Sequence, residues 1–131
     1  MALAEFRGVS HQFGERFALR AFSISIQPGE VYGLLGPNGA GKTTAVRILC
    51  GQLRPTEGQA LVSDVDVAKD PLEARRHMAF VPDGAPLYAH LSPRQHLELV
   101  GRLFGLEEAL IQSECARLLE ALGLGGREND P

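Results

Sequence analysis

The chain has 131 residues, room for one domain at most. Its 44% hydrophobic and 22% charged residues suit an ordinary soluble globular fold, and a formal net charge of −3 without a basic tract gives nucleic acid no electrostatic handle. No apolar run approaches the ~18–20 residues that span a bilayer, the N-terminal stretch lacks the charged and apolar regions of a signal peptide, and Cys50 and Cys115 lack metal-type spacing, which predicts two reduced, packed thiols.

In chain order, Leu3 to Val9 and Ala18 to Ile26 read as two strands, with a turn at Gln12-Phe13-Gly14-Glu15 between them. Phe22, Ile24 and Ile26 alternate with Ser23, Ser25 and Gln27, the period of a half-buried antiparallel strand. Pro28-Gly29-Glu30 is a tight turn. The apolar run Val31-Tyr32-Gly33-Leu34-Leu35 predicts a buried parallel strand.

Residues Gly36-Pro37-Asn38-Gly39-Ala40-Gly41-Lys42-Thr43-Thr44 follow, and they fit Gly-x-x-x-x-Gly-Lys-[Ser/Thr], the phosphate-binding P-loop. Glycines let successive backbone N–H groups turn inward around phosphate oxygens. Lys42 supplies a compact cation, and the Thr43 hydroxyl is a hard oxygen ligand suited to Mg²⁺. Lys42 and Lys69 are the only lysines among thirteen basic residues, so one of the two stands where the motif needs an ammonium. Ala45, Val46, Ile48 and Leu49 continue at helical spacing, Gly51 is placed to end that helix, and the helix would point its positive dipole end at the phosphates.

Arg54 to Gly58 reads as a turn, and Gln59 to Val67 as a β-type stretch. Asp70-Pro71-Leu72-Glu73 is a helix start with Asp as cap and Pro at the first position. Met78-Ala79-Phe80-Val81 predicts another buried strand, and Pro82 to Leu91 a loop. Ser92-Pro93-Arg94-Gln95 is a capping box that opens a helix with an apolar face of Leu97, Val100 and Phe104, ended by Gly105. Leu110, Ile111, Leu118, Leu119 and Leu122 form the stripe of a last helix closed by Gly123, followed by a polar tail over 125–131. His11, His77, His90 and His96 lack ligand spacing and read as surface or structural residues. Arg75-Arg76 and Glu107-Glu108 read as solvated helix faces.

Taken together, these segments resemble the first half of the ATP-binding domain of ATP-binding-cassette (ABC) transporters. The likeness is carried by Ser10-His11-Gln12-Phe13-Gly14, Ala18-Leu19, Pro28-Gly29-Glu30, the P-loop, Leu53 to Gly58, and Phe80 to Ser92, and it runs to about Gly125. The wording of the P-loop is similar to that of exporter-type members. The resemblance implies an α/β, P-loop NTPase core over 1–81, with an N-terminal antiparallel β segment and the P-loop strand and helix. A Q-loop-like segment over 82–91 and the start of a helical subdomain over 92–124 would follow. It implies ATP and Mg²⁺ as ligands, a transmembrane permease and a second ABC ATP-binding domain as partners, no nucleic-acid partner, and a cytoplasmic location at the inner face of the membrane. Phe13 aligns with the aromatic residue that stacks on adenine in this family, a flat apolar face suited to a flat base; read by itself, it is more simply a core residue at a hairpin end. Asp83 stands where the family usually carries a glutamine that reaches Mg²⁺ and the attacking water. Aspartate could contact the metal, but when ionised it cannot donate a hydrogen bond; a loop residue placed by turn chemistry beside Pro82 and Gly84 is the alternative. Leu87-Tyr88-Ala89-His90-Leu91 lies where the family meets its membrane subunit, though packing within the helical subdomain explains it as well.

The family's Leu-Ser-Gly-Gly-Gln signature, Walker B aspartate, catalytic glutamate and switch histidine do not occur in these 131 residues. The expectation is therefore nucleotide binding with little hydrolysis by this chain alone, and marginal stability or pairing with another copy, because flanking parallel strands are not supplied. A non-transport ABC ATPase and a binding-only fragment are the alternatives, and a different P-loop enzyme fits the β-rich start less well.

Overall fold

A computed structural model describes residues 2–84 and 87–130. It divides into two compact units, Met1–Val81 and Pro82–Pro131.

The first unit is built on a four-stranded antiparallel sheet in the order β2-β1-β3-β4. Strand β1 spans Ala4–Phe13 and β2 Arg16–Ile26, so the expected strand pair is present and longer than its apolar pattern. Helix α1 (Lys42–Leu49) comes next, then β3 (Glu57–Val62), β4 (Val65–Asp66) and α2 (Pro71–Arg76). Phe6, Val9 and Leu19 from the first two strands meet Ala60 and Val62 of β3, Ala45 and Ile48 of α1, and Ala74 of α2 in one core. The alternation in β2 holds: Phe22, Ile24 and Ile26 are half-buried while Ser23 and Ser25 are exposed. Burying such a set stabilises the unit by roughly 25 cal/mol per Å² of apolar surface removed from water.

Strand β1 is bent by a bulge. Its register shifts after Phe6 against β2 and after Arg7 against β3, so both ladders break around Gly8. Gly58 faces that bulge at φ +79°, where a Cβ would lie 2.4 Å from the Gly8 carbonyl oxygen, so only glycine fits there.

Local signals appear where the chain order placed them. Glu73 N–H donates to the Asp70 carboxylate at 3.0 Å and caps α2. Gly51 takes φ +67° just past α1. The stretch 59–67 is a hairpin rather than one strand, because Ser63 and Asp64 both adopt positive φ and turn the chain back. Two expected strands are not formed. Val31–Leu35 and Met78–Val81 lie outside the sheet, with Val31, Leu35 and Val81 almost wholly exposed. A parallel strand is held by ladder bonds to neighbours, and among the described residues no strand runs beside either segment.

The second unit is a helix pair, α3 (Pro93–Leu103) and α4 (Glu108–Ala121). The capping box is complete: Gln95 N–H donates to Ser92 Oγ, and Ser92 N–H donates to Gln95 Oε1. The packed faces differ from the leucine pattern. Val100, Phe104, Leu110 and Leu122 are exposed, while Ile111, Cys115 and Leu119 form the buried stripe of α4 with Leu97 and Leu124 against it. The reason is Gly101, the buried residue of α3, which lets Ile111 approach so closely that a Cβ there would lie 2.8 Å from Ile111 Cγ1. Cys50 and Cys115 are both buried and free, one in each unit, and burial pushes each thiol above its ordinary pKa.

Candidate functional site

The loop from Gly36 to Gly41 ends where α1 begins. Gly39 and Gly41 adopt φ +83° and +92°, left-handed conformations that turn the backbone inward and suit glycine. Gly41 is also the N-cap of α1, and no side chain caps the helix there. The first N–H groups of α1 are thus free of side-chain acceptors, and its first turn carries no acid. A Cβ on Gly41 would sit 2.2 Å from the Ala18 carbonyl oxygen. That close approach docks the start of α1 directly on β2.

Lys42 folds back over the loop. Its ammonium donates to the carbonyl oxygens of Gly36 and Pro37, the latter at 2.7 Å. Ala40 N–H closes a turn onto Pro37 O at 3.2 Å. The lysine therefore holds the loop's curvature while its charge stays at the mouth of the loop.

The opposite wall comes from the end of the β1–β2 hairpin. Phe13 and Arg16 are direct cross-strand partners, joined through Gly14 at φ +58° and Glu15. Partners in register project to the same face of the sheet, and so does Ala18, two residues on. Phe13, Arg16 and Ala18 join Asn38, Gly39, Gly41, Lys42, Thr43 and Thr44 in lining one open cavity of about 530 Å³. Phe13 is 54% exposed, with its ring edge-to-face on His11 at a centroid distance of 4.6 Å. His11 is buried, its Nδ1–H donating to Arg54 O at 2.9 Å, and its Nε2 has no partner among the described residues.

Of the residues singled out from the sequence, Phe13, Asn38, Gly39, Gly41, Lys42, Thr43 and Thr44 are brought together in this cavity. Gly36, Pro37 and Ala40 shape the loop behind it. Asp83 belongs to the second unit, in an exposed turn with Gly84 at φ +61°, and is not one of the cavity's lining residues. Arg16 escaped sequence reading, whereas His11, read as surface or structural, is a buried support of Phe13. Only the hairpin register, which pairs residue 16 with residue 13, could have pointed to Arg16.

Chemically, the cavity lining combines a flat apolar ring with two cations, Arg16 and Lys42, and a loop whose left-handed glycines turn amides inward. It has no acidic lining residue. Such a surface favours a polyanion carrying a planar apolar group. For a divalent cation, the hydroxyls of Thr43 and Thr44 are hard donors, but no carboxylate joins them, which fits an ion that keeps most of its oxygen ligands from water and phosphate.

Comparison with known proteins agrees with this chemistry. The family model described as ABC transporter matches residues 19–131. The chain is 36% identical over 120 residues to the "Probable multidrug ABC transporter ATP-binding protein YbhF" of Escherichia coli (strain K12), a match covering 92% of this chain and 21% of that protein. It is 43% identical over 113 residues to the "Daunorubicin resistance ATP-binding protein DrrA2" of Streptomyces coeruleorubidus, covering 86% and 35% of the two chains. A solved structure entitled "Structure of ATP binding subunit of ABC transporter" superposes with TM-score 0.85 at 29% identity, covering 97% of this chain and 53% of that one. The chain thus spans about half of the solved subunit, about a fifth of the first relative and about a third of the second.

Proposed function

This chain belongs to the ABC transporter family, and from that premise we propose that its P-loop cavity binds Mg-ATP to power transport through a membrane-spanning partner. One observation carries the reading: a single cavity in the first unit joins the exposed Phe13 ring to the glycine loop, Lys42 and Thr43, with two cations and no acid in its lining. Phe13 would stack on the adenine ring, the amides of Gly39 to Thr43 would cradle the phosphates, and Lys42 would exchange its loop carbonyls for phosphate oxygens. Bound Mg²⁺ would neutralise charge on the outer phosphates, with Thr43 as its ligand from this cavity.

The cavity holds no carboxylate that could polarise an attacking water, so these 131 residues are expected to bind nucleotide and turn it over slowly. The proposed partners are a transmembrane permease and a second ATP-binding domain, at the cytoplasmic face of the membrane. Relatives named for multidrug transport and daunorubicin resistance support an export role.

Titration of the chain with ATP and Mg²⁺, followed by calorimetry, tests the reading. Lys42→Ala should weaken binding at least about tenfold, the scale of one lost charge-assisted contact. Equal affinity in wild type and Lys42→Ala would refute it.

A further inference from the structure

We propose that Arg16 is a second phosphate-binding cation of this site, acting on the polyphosphate chain from the wall opposite Lys42. The inference rests on the nucleotide-binding reading and extends it to a residue outside the P-loop.

Three observations on Arg16 converge. Its strand register places it directly across from Phe13, on the face of the hairpin that lines the cavity. Its side chain crosses to the loop, where guanidinium Nη2 lies 3.3 Å from the point a Cβ would occupy on Gly39. It also makes no hydrogen bond or ion pair to any described residue, in contrast with Lys42, which is engaged with two loop carbonyls. Arg20, on the same strand, lies 4.4 Å over the ring of Phe17, which faces the other side of the hairpin.

A guanidinium held against an inward-turned glycine loop, with no carboxylate in the lining, has one class of ligand that satisfies it: an oxyanion. Its planar donors can bridge two phosphate oxygens, which the point charge of a lysine does less well. Its place between the Phe13 ring and Gly39 assigns it to the stretch of ligand that joins base to outer phosphate. A monoanion or a bare nucleoside would gain little from it, whereas a nucleoside polyphosphate would engage both cations together.

The test separates the phosphate arm from the base arm. A fluorescent ATP analogue bound to the 131-residue chain is displaced by ATP and, separately, by inorganic tripolyphosphate. Arg16→Gln, which keeps polarity but removes the charge and shortens the reach, should weaken both competitors by about five- to twenty-fold, the scale of a partly exposed charge-assisted contact, and should flatten the salt dependence of both. Arg16→Lys should keep the salt dependence and lose only part of the affinity. Phe13→Ala should weaken ATP and leave tripolyphosphate unchanged. Arg16→Gln with wild-type affinity for both competitors, beside a defective Lys42→Ala, overturns the role of Arg16 and leaves nucleotide binding standing. A wild-type chain that binds neither competitor overturns both readings.

Discussion

Gly41 offers the sharpest separation of two effects that usually occur together at a P-loop glycine. Alanine at a left-handed φ costs about 1–2 kcal/mol whatever surrounds it. Gly39 and Gly41 share that term, with φ +83° and +92°. Their surroundings differ. A Cβ at 39 would meet only the end of the Arg16 side chain at 3.3 Å, which can swing away. A Cβ at 41 would lie 2.2 Å from the Ala18 carbonyl oxygen and 2.8 Å from Leu19 Cδ2. The first contact is over 1 Å short of ordinary van der Waals separation, and its partner is backbone in β2. Relief requires the start of α1 to lift off the sheet, adding the 1–3 kcal/mol typical of overpacking, at the upper end because backbone must move. Gly41→Ala should therefore cost about 2 kcal/mol more than Gly39→Ala, which is roughly 8–16 °C in melting temperature for a unit of this size. Thermal unfolding followed by circular dichroism measures the difference. Equal melting temperatures for the two variants would show that α1 is not docked through Gly41, and the geometry assigned to the phosphate cradle would fall with it.

Two further outcomes follow from packing and burial. Gly101→Ala gains about 1 kcal/mol of helix propensity but drives a methyl to 2.8 Å from Ile111, so overpacking should win and amide hydrogen exchange in α3 and α4 should accelerate; slower exchange would mean that propensity prevails. Cys50 and Cys115 have thiol pKa values raised by burial, so near pH 7.5 both should react with a disulfide reagent far more slowly in the folded chain than in urea. Rapid labelling of either cysteine without denaturant would contradict the packing described.

What the sequence made legible is what depends on neighbours a few residues away. The caps of α2 and α3 rest on Asp70 and Ser92 reaching three residues forward, and the P-loop is one continuous stretch. Register is a different kind of information. Strand β1 slips at Gly8 and again between Val9 and Gln12, so no count along the chain could pair Phe13 with Arg16. The faces of α3 and α4 were legible in part: Leu97, Ile111 and Leu119 lie in the pattern and are packed, but its Val100, Phe104, Leu110 and Leu122 are exposed, and the close approach of Ile111 to Gly101 depends on an absent side chain. The run Val31–Leu35 was legible as apolar, but pairing is a property of two strands, and among the described residues no strand runs beside it.

The same distinction governs charge. A net charge of −3 describes the molecule seen from afar, screened beyond about 10 Å in ordinary buffer. At the cavity the field is set by what lines it, and there the chain gathers Arg16 and Lys42, two uncapped glycine turns and a helix N-terminus, with no acid to oppose them. An acidic protein can therefore present a site that favours a polyanion, because at contact distance the sign of the lining outweighs the sign of the sum. That local excess also makes the second cation testable. If Lys42 alone supplied the attraction, removing Arg16 would leave the salt dependence of tripolyphosphate binding unchanged; if the two act together, the slope falls with either one.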